Sequence, residues 1–167
     1  MFFGFGDMTP EDPGDFIQLA AAAGRRAGVR QVVQAEQTGP MSAGRPLAGD
    51  WIVVGDLPHD WLFPKMAAVV HHAGGGTTAA GLRAGVPAVT VPVLGDQPFW
   101  AARLAALGAG PPPIPRRQLS ITALAAAIRD AVELPSYQAQ AEALSRRLAS
   151  ENGAAPVISM LARLGGS

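Results

Sequence analysis

The sequence predicts an α/β fold in which a single Rossmann-like, doubly wound parallel sheet is followed by a helical tail. Short continuous apolar runs alternate with amphipathic segments, which is the pattern of a parallel sheet covered by helices on both faces. Three glycine-containing segments follow predicted strands directly, at the sheet edge where such folds bind ligands. The predicted order of elements is β-α-β-β-(α)-β-α-β-α.

The composition sets limits on what the protein does. The chain has 167 residues, of which 49% are hydrophobic, so we expect one globular domain, spanning residues 1–167. The formal net charge is +0 and no basic run is present, so no nucleic-acid partner is expected. The sequence has no cysteine, which favours a cytoplasmic location. No apolar run reaches the roughly 20 residues of a membrane span.

Each element follows from a local pattern. Strands are predicted for the apolar runs 1–5, 30–36, 51–55, 67–71 and 87–93. Helices are predicted at 12–28, 76–85, 97–108, 121–132, 136–150 and 155–164, with a short turn at 60–66 interrupted by Pro64. The polar segment 38–50 is expected to be a loop. Because an apolar strand begins at residue 1, we expect that an upstream part of the protein is missing.

The segment HHAGGGTT follows the strand that ends at His71. Its glycines allow a ligand to approach the backbone, and Thr77 and Thr78 open a helix whose free amides favour an anion such as a diphosphate. His71 would add a hydrogen bond to a phosphate oxygen. The alternative is an ordinary glycine-rich turn with incidental histidines. The segment matches neither a Walker A loop nor a GxGxxG motif.

Paired histidines also suggest a metal site, but the spacing argues against one. Adjacent residues on a strand point to opposite faces, so His71 and His72 are not expected to share a metal. Only His59 remains as a further histidine, and cysteines are absent. We therefore expect no metal.

The segment GDQPFW follows the last predicted strand. Asp96 and Gln97 combine a carboxylate with an amide, which suits the hydroxyls of a sugar. Asp96 is also a candidate helix N-cap. Trp100 could border a sugar, although packing is the favoured interpretation.

The first predicted strand leads into GFGDM, where Gly4 and Gly6 would let a phosphate approach. Asp7 would repel that phosphate, so we expect it to cap the following turn.

The segment DLPHDWLFPK follows the third predicted strand. Leu57 and Pro58 could form the floor of a base pocket. Trp61 could stack on a base, but a core position is the favoured interpretation.

These segments, in this order, resemble the C-terminal donor-binding domain of family-1 glycosyltransferases of the GT-B fold. The likeness is greatest to the bacterial, sterol and antibiotic branch. The residues that carry it are GFGDM (4–8), DWLFPKMAAVVHHAGGGTTAAGLRAGVPAVTVPVLGDQPFWAARLAALGAGP (60–111) and PIPRRQL (113–119). The resemblance implies a diphosphate site at His71, Gly74, Gly75, Gly76, Thr77 and Gly6. It further implies that Asp96 and Gln97 bind the sugar, and that Leu57 and Pro58 bind the base.

The resemblance implies inverting transfer of a hexose from a UDP- or TDP-sugar to a hydroxyl of a small lipophilic acceptor, with no cofactor. The catalytic base would lie in an N-terminal acceptor-binding domain absent from this chain, so the domain alone should bind donor without transferring it. One alternative is a non-catalytic partner protein that has lost donor binding. A sugar-nucleotide epimerase of similar architecture fits the GDQPFW segment less well.

Four positions depart from the family pattern. Ala73 and Gly75 exchange the glycine and the alanine of the family loop, and this is expected to be tolerated if Ala73 does not need a positive φ. Asp7 replaces a serine that would reach a phosphate. Ala79 stands where the plant branch has an acidic residue that binds the ribose, so the ribose contact is unassigned.

Overall fold

The computed structural model describes residues 1–5, 13–34, 46–47 and 51–164. Its strands are β1 (Phe2–Gly4), β2 (Gln31–Gln34), β3 (Pro46–Leu47), β4 (Trp51–Val54), β5 (Val69–His71) and β6 (Ala88–Thr90). Its α-helices are α1 (Pro13–Ala27), α2 (His59–Leu62), α3 (Gly75–Ala84), α4 (Gln97–Ala106), α5 (Ile121–Glu133), α6 (Pro135–Ala149) and α7 (Ala154–Leu164). Short 3₁₀ helices occupy Phe63–Lys65 and Arg116–Gln118.

The strands form one six-stranded sheet in the order β3-β4-β2-β1-β5-β6. All pairings are parallel except that of β3 with β4, so the predicted doubly wound parallel sheet is confirmed. The chain order reverses between β1 and β5, where Gly4 lies opposite His71. Ligands of doubly wound sheets bind at the carboxyl ends of the strands at this reversal. The segment that starts with His71 therefore lies at the expected binding edge.

The sheet differs from the prediction at its edge and in the length of its strands. β3 lies within segment 38–50, so the prediction of a loop throughout that segment is wrong. Pro46 is accommodated there because an edge strand does not need every backbone donor. The strand predicted at 87–93 ends at Thr90; Val91 still donates to the carbonyl of His71 at 3.0 Å, but Pro92 has no N–H to continue the ladder.

Two apolar clusters cover the two faces of the sheet. Phe2 and Phe3 are adjacent in β1 and both buried, but they belong to different clusters because successive side chains alternate between faces. One cluster joins the sheet to α1 and α5; it includes Phe3, Val33, Val70, Val89, Ala20, Leu124 and Ile128. The other joins it to α2, α3 and α4; it includes Phe2, Val69, Ala88, Leu62, Phe63 and Leu104. Packed side chains on both faces of the sheet therefore hold the strand ends at the binding edge in place.

Helix α3 is satisfied at its carboxyl end and open at its amino end. It stops at Gly85, whose φ of 69° is left-handed and whose N–H bonds back to Gly81 and Leu82. From α6, the hydroxyl of Ser145 donates to the carbonyl of Arg83 at 2.6 Å. No side chain caps the first turn. Among the described residues, the backbone N–H groups of α3 left without a hydrogen-bond partner are therefore those at its start.

Helix α7 carries an apolar face that no other described element covers. Its exposed apolar side chains are Val157, Ile158, Met160 and Leu161. Within the described residues, no helix combines the length and apolarity that crossing a membrane requires.

Candidate functional site

The centre of the site is His71, the last residue of β5. Its side chain is 0% exposed, and its Nδ1 accepts the backbone N–H of Ala73 at 3.0 Å. Burial lowers the pKa of His71 to about 3, and the nearby charges of His72 and His59 act in the same direction. The imidazole is therefore neutral at neutral pH.

The hydrogen bond at Nδ1 fixes the tautomer of His71. A neutral imidazole carries one proton, and because Nδ1 accepts, that proton lies on Nε2. Nε2 is buried, and no described residue supplies an acceptor for it. Leaving such a donor unpaired costs about 1–3 kcal/mol. This orphaned donor is an observation that points to a ligand at the end of β5.

The start of α3 supplies further donors next to His71. Gly74 is the N-cap and offers no side chain, and the first helical bond is from Thr78 N–H to the Gly74 carbonyl at 2.9 Å. The preceding amides, of Gly75, Gly76 and Thr77, find no acceptor among the described residues. A Cβ added to Gly76 would meet nothing within 4 Å. The helix thus presents open amides and a positive dipole end, which together favour an anion.

The turn between β5 and α3 contains an alanine in an unfavourable backbone conformation. Ala73 has φ of 66° and is fully buried. The condition under which alanine was expected to be tolerated at this position, that it needs no positive φ, is therefore not met. In the same turn, the Ala73 N–H donates to Nδ1 of His71. Left-handed backbone costs a residue with a Cβ about 1–2 kcal/mol.

His72 lies against the backbone of the same turn. A Cβ added to Gly74 would come within 2.5 Å of His72 Nε2, so glycine at 74 makes room for this imidazole. Partial burial lowers the pKa of His72, while the carboxylate of Asp96 acts in the opposite direction. Its Nδ1 has no hydrogen-bond partner among the described residues. His72 therefore belongs to the same neighbourhood as Asp96.

Asp96 precedes α4 at its N-cap position, but its side chain does not cap the helix. Instead Oδ2 accepts the indole N–H of Trp100 at 2.8 Å. The N-cap interpretation of the carboxylate is thus wrong. The Trp100 ring is only partly buried, and it lies 3.4 Å from the point where a Cβ of Gly75 would stand. Asp96, Trp100 and the start of α3 are therefore neighbours.

Gln97 is turned into the protein. Its side chain is 3% exposed, and its Oε1 accepts the backbone N–H groups of Val93 at 2.8 Å and Leu94 at 3.1 Å. The amide oxygen therefore shapes the loop between β6 and α4. The predicted contact between Gln97 and a sugar stays a prediction.

The predicted base-binding residues lie at the end of β4. Leu57 is partly buried against the apolar cluster that joins the sheet to α2, α3 and α4. The carbonyl of Pro58 accepts the N–H groups of Trp61 and Leu62 at the start of α2. Trp61 is 56% exposed with the Lys65 ammonium 4.2 Å from its ring centroid, so the interpretation of Trp61 as a core residue is wrong. The base-binding role of Leu57 and Pro58 stays a prediction.

The two predicted positions that follow β1, Gly6 and Asp7, lie outside the described residues. At Gly4, an added Cβ would meet the ring of Phe2 at 2.5 Å, so this glycine makes room for a core side chain. Among the described residues, no group of three or more His, Cys, Asp or Glu side chains is arranged to hold a metal.

Sequence reasoning missed two features of the site. The bond between Trp100 and Asp96 has a signal in the sequence, because residues four apart meet on one helix face. The buried hydroxyl of Thr78 lacks a described partner, and no pattern in the sequence indicates that.

Comparisons with known proteins point in one direction. The family described as "Erythromycin biosynthesis protein CIII-like, C-terminal domain" matches residues 29–164. A sterol 3-beta-glucosyltransferase of Arabidopsis thaliana is 38% identical over 158 residues, which are 95% of this chain and 26% of the relative. The O-mycaminosyltylonolide 6-deoxyallosyltransferase of Streptomyces fradiae is 43% identical over 139 residues, covering 83% of this chain and 32% of the relative.

Solved structures agree on the fold. The glycosyltransferase VinC, solved in complex with dTDP, superposes with a TM-score of 0.72 at 26% identity, over 97% of this chain and 40% of that chain. The predicted likeness to one half of a GT-B glycosyltransferase is confirmed. The chain spans about a quarter to a third of the length of the two relatives described above.

Proposed function

Because the chain belongs to the family of EryCIII-like C-terminal domains, whose relatives above are glycosyltransferases, we propose that it is a nucleotide-sugar-binding domain. The enzyme it serves would be inverting, and would move a hexose from a UDP- or TDP-sugar to a hydroxyl of a small lipophilic acceptor. The names of the relatives support this acceptor class, and the dTDP bound to VinC supports the nucleotide class.

The orphaned Nε2–H of His71 is the observation that carries the proposal. A diphosphate oxygen at the start of α3 would accept this hydrogen bond together with the amides of Gly75, Gly76 and Thr77. All four donors are neutral, so they would stabilise the anion through their dipoles and without a compensating charge. The observed geometry therefore suits a nucleoside diphosphate held without a metal.

The same donors would also contribute to catalysis. In glycosyl transfer the acceptor oxygen attacks the anomeric carbon, and negative charge grows on the departing diphosphate. Dipoles already aimed at that charge stabilise the transition state more than the ground state. His71 would donate a hydrogen bond rather than act as a base, since its Nδ1 is occupied by the Ala73 N–H.

The remaining contacts of the donor are assigned by position. Asp96 would accept from sugar hydroxyls, and Leu57 and Pro58 would line the base. Gly6 is a further candidate for the diphosphate.

The proposal places the acceptor and the catalytic base outside this chain, in an N-terminal acceptor-binding domain. The short span of the chain on its relatives supports this, and the exposed apolar face of α7 would pack on that domain. We further propose a cytoplasmic enzyme, and that the 167-residue chain binds donor but does not transfer it.

Calorimetry of the chain with UDP and TDP tests the proposal, with two variants that separate the nitrogens of His71. His71→Asn keeps an acceptor near Nδ1 and removes the donor near Nε2, whereas His71→Gln places an amide donor near Nε2. Because a hydrogen bond to a charged group contributes about 1.5–3 kcal/mol, His71→Asn should lose about tenfold or more in affinity. His71→Gln should retain more of the affinity.

Two outcomes would contradict the proposal. Folded wild-type protein that binds neither nucleotide at millimolar concentration would favour the non-catalytic partner. Binding by wild type that His71→Asn leaves unchanged would remove His71 from the phosphate site.

A further inference from the structure

We propose that Trp100 is a positioning residue for the donor sugar. Its indole N–H holds Oδ2 of Asp96, which leaves Oδ1 to accept from a sugar hydroxyl. Trp100 thereby sets how strongly the site prefers a nucleotide sugar to the bare nucleoside diphosphate. This inference rests on the proposed function and adds to it a residue that determines sugar binding.

Among the described residues, Trp100 is the residue that orients the carboxylate of Asp96. Asp96 is exposed and its side chain makes no cap bond with α4, so the backbone does not fix the orientation of the carboxylate. The bond of 2.8 Å from Trp100 Nε1 does fix it, and a carboxylate acceptor makes such a bond strong. No hydrogen bond from another described residue reaches Oδ1.

The indole of Trp100 lies between two parts of the site. One side of Trp100 reaches Asp96, and the ring atoms nearest to Gly75 are Nε1 and its neighbours, 3.4 to 4.0 Å from the place of a Cβ there. Phe99 packs against the indole edge-to-face, with centroids 5.1 Å apart and planes at 75°. The indole therefore joins the candidate sugar carboxylate to the first residue of the candidate phosphate-binding helix.

A packing role alone predicts a different result. If the indole only supported the start of α3, its loss would disturb the phosphates and weaken every nucleotide ligand equally. If it acts through Asp96, its loss weakens nucleotide sugars and spares nucleoside diphosphates. The ratio of the two affinities separates these roles.

The experiment is calorimetry on wild type, Trp100→Phe, Asp96→Ala and the double variant. Each is titrated with UDP, TDP, UDP-glucose and TDP-glucose. Because an unfixed side chain must be immobilised on binding, Trp100→Phe should weaken the preferred nucleotide sugar about fivefold and its diphosphate less than about twofold. In the Asp96→Ala background the same change should add nothing, because the two residues act through one contact.

Phe99→Leu is the matched control, since it alters the neighbouring ring and leaves the indole donor in place. It should keep the wild-type ratio of affinities. A readout that needs no folded variant is the indole N–H resonance of Trp100 in the wild type. It should shift more with the nucleotide sugar than with the diphosphate.

The outcomes separate this inference from the proposed function. Equal loss of sugar and diphosphate affinity in Trp100→Phe, or additive losses in the double variant, would overturn the positioning role alone. The positioning role is also overturned if the wild type binds the nucleoside diphosphate at least as tightly as every nucleotide sugar tested. Wild type that binds no nucleotide overturns both.

Discussion

Replacing Gly76 by alanine should move stability and nucleotide binding in opposite directions. Gly76 lies in the first turn of α3, has no positive φ, and an added Cβ would meet no atom within 4 Å. In such a place the change reduces the freedom of the unfolded chain and raises stability by about 0.5 kcal/mol. For a domain of this size that is an increase in Tm of about 1–2 °C.

The same Cβ would project where the proposed diphosphate approaches the helix. The phosphate would have to withdraw from the amides, and loss of one such bond to a charged group costs about 1.5 kcal/mol, or about tenfold in affinity. Thermal unfolding with and without saturating UDP measures both effects. Gly76→Ala should melt higher than wild type alone and gain less from UDP.

Gly81→Ala is the matched control. Gly81 lies in the same helix, where an added Cβ would be 3.6 Å from Val69, an ordinary contact, and far from the first turn. It should be tolerated and leave UDP affinity unchanged. Gly76→Ala with wild-type affinity would refute the assignment of the first turn of α3 as the phosphate site.

The remaining predictions concern the fold around the site. Because the pKa of His71 falls from 6.5 to about 3 on folding, its contribution to stability is complete above pH 6.5 and is lost as the pH falls toward 3. In denaturant unfolding between pH 6.5 and 3, His71→Asn should reduce the slope of stability against pH by about 1.4 kcal/mol per pH unit, the share of this one group. Ala73→Gly should have a stability within about 0.5 kcal/mol of the wild type, or higher, because relief of left-handed strain offsets the loss of a buried methyl group. As a comparison, Ala79→Gly within α3 should lower the stability by about 1 kcal/mol. Gly85→Ala should lower the stability by about 1–2 kcal/mol, because φ is 69° and the new Cβ would stand 3.3 Å from Ser145. UDP affinity should be unchanged. A variant as stable as the wild type, or more stable, would contradict the role of Gly85 as helix terminator.

The parts of the fold that follow from local pattern could be predicted. Alternation of apolar runs with amphipathic segments predicted the doubly wound sheet, and glycines after a strand predicted that α3 starts beside His71. These succeed because burial on both faces of a parallel sheet leaves few other arrangements for such a pattern.

The sequence predictions fail at residues whose environment is set by tertiary contacts and not by the local pattern. Trp61 is a large aromatic residue of the kind found in cores, but it is exposed, and its neighbours Leu62 and Phe63 take the buried positions instead. Ala73 has a positive φ in a turn whose backbone also bonds to the side chain of His71, and the sequence alone shows neither feature. The bond from Trp100 to Asp96 follows the spacing of four residues, but the spacing alone does not select it over a helix cap by Asp96.

The central claim is that a diphosphate accepts the Nε2–H of His71 and the first amides of α3. Proton and nitrogen NMR of the chain during titration with UDP or TDP tests it directly. The account predicts that the His71 Nε2–H resonance and the amides of Gly75, Gly76 and Thr77 shift together as the nucleotide binds. Binding that leaves these four resonances in place, or no binding by folded protein, would contradict it.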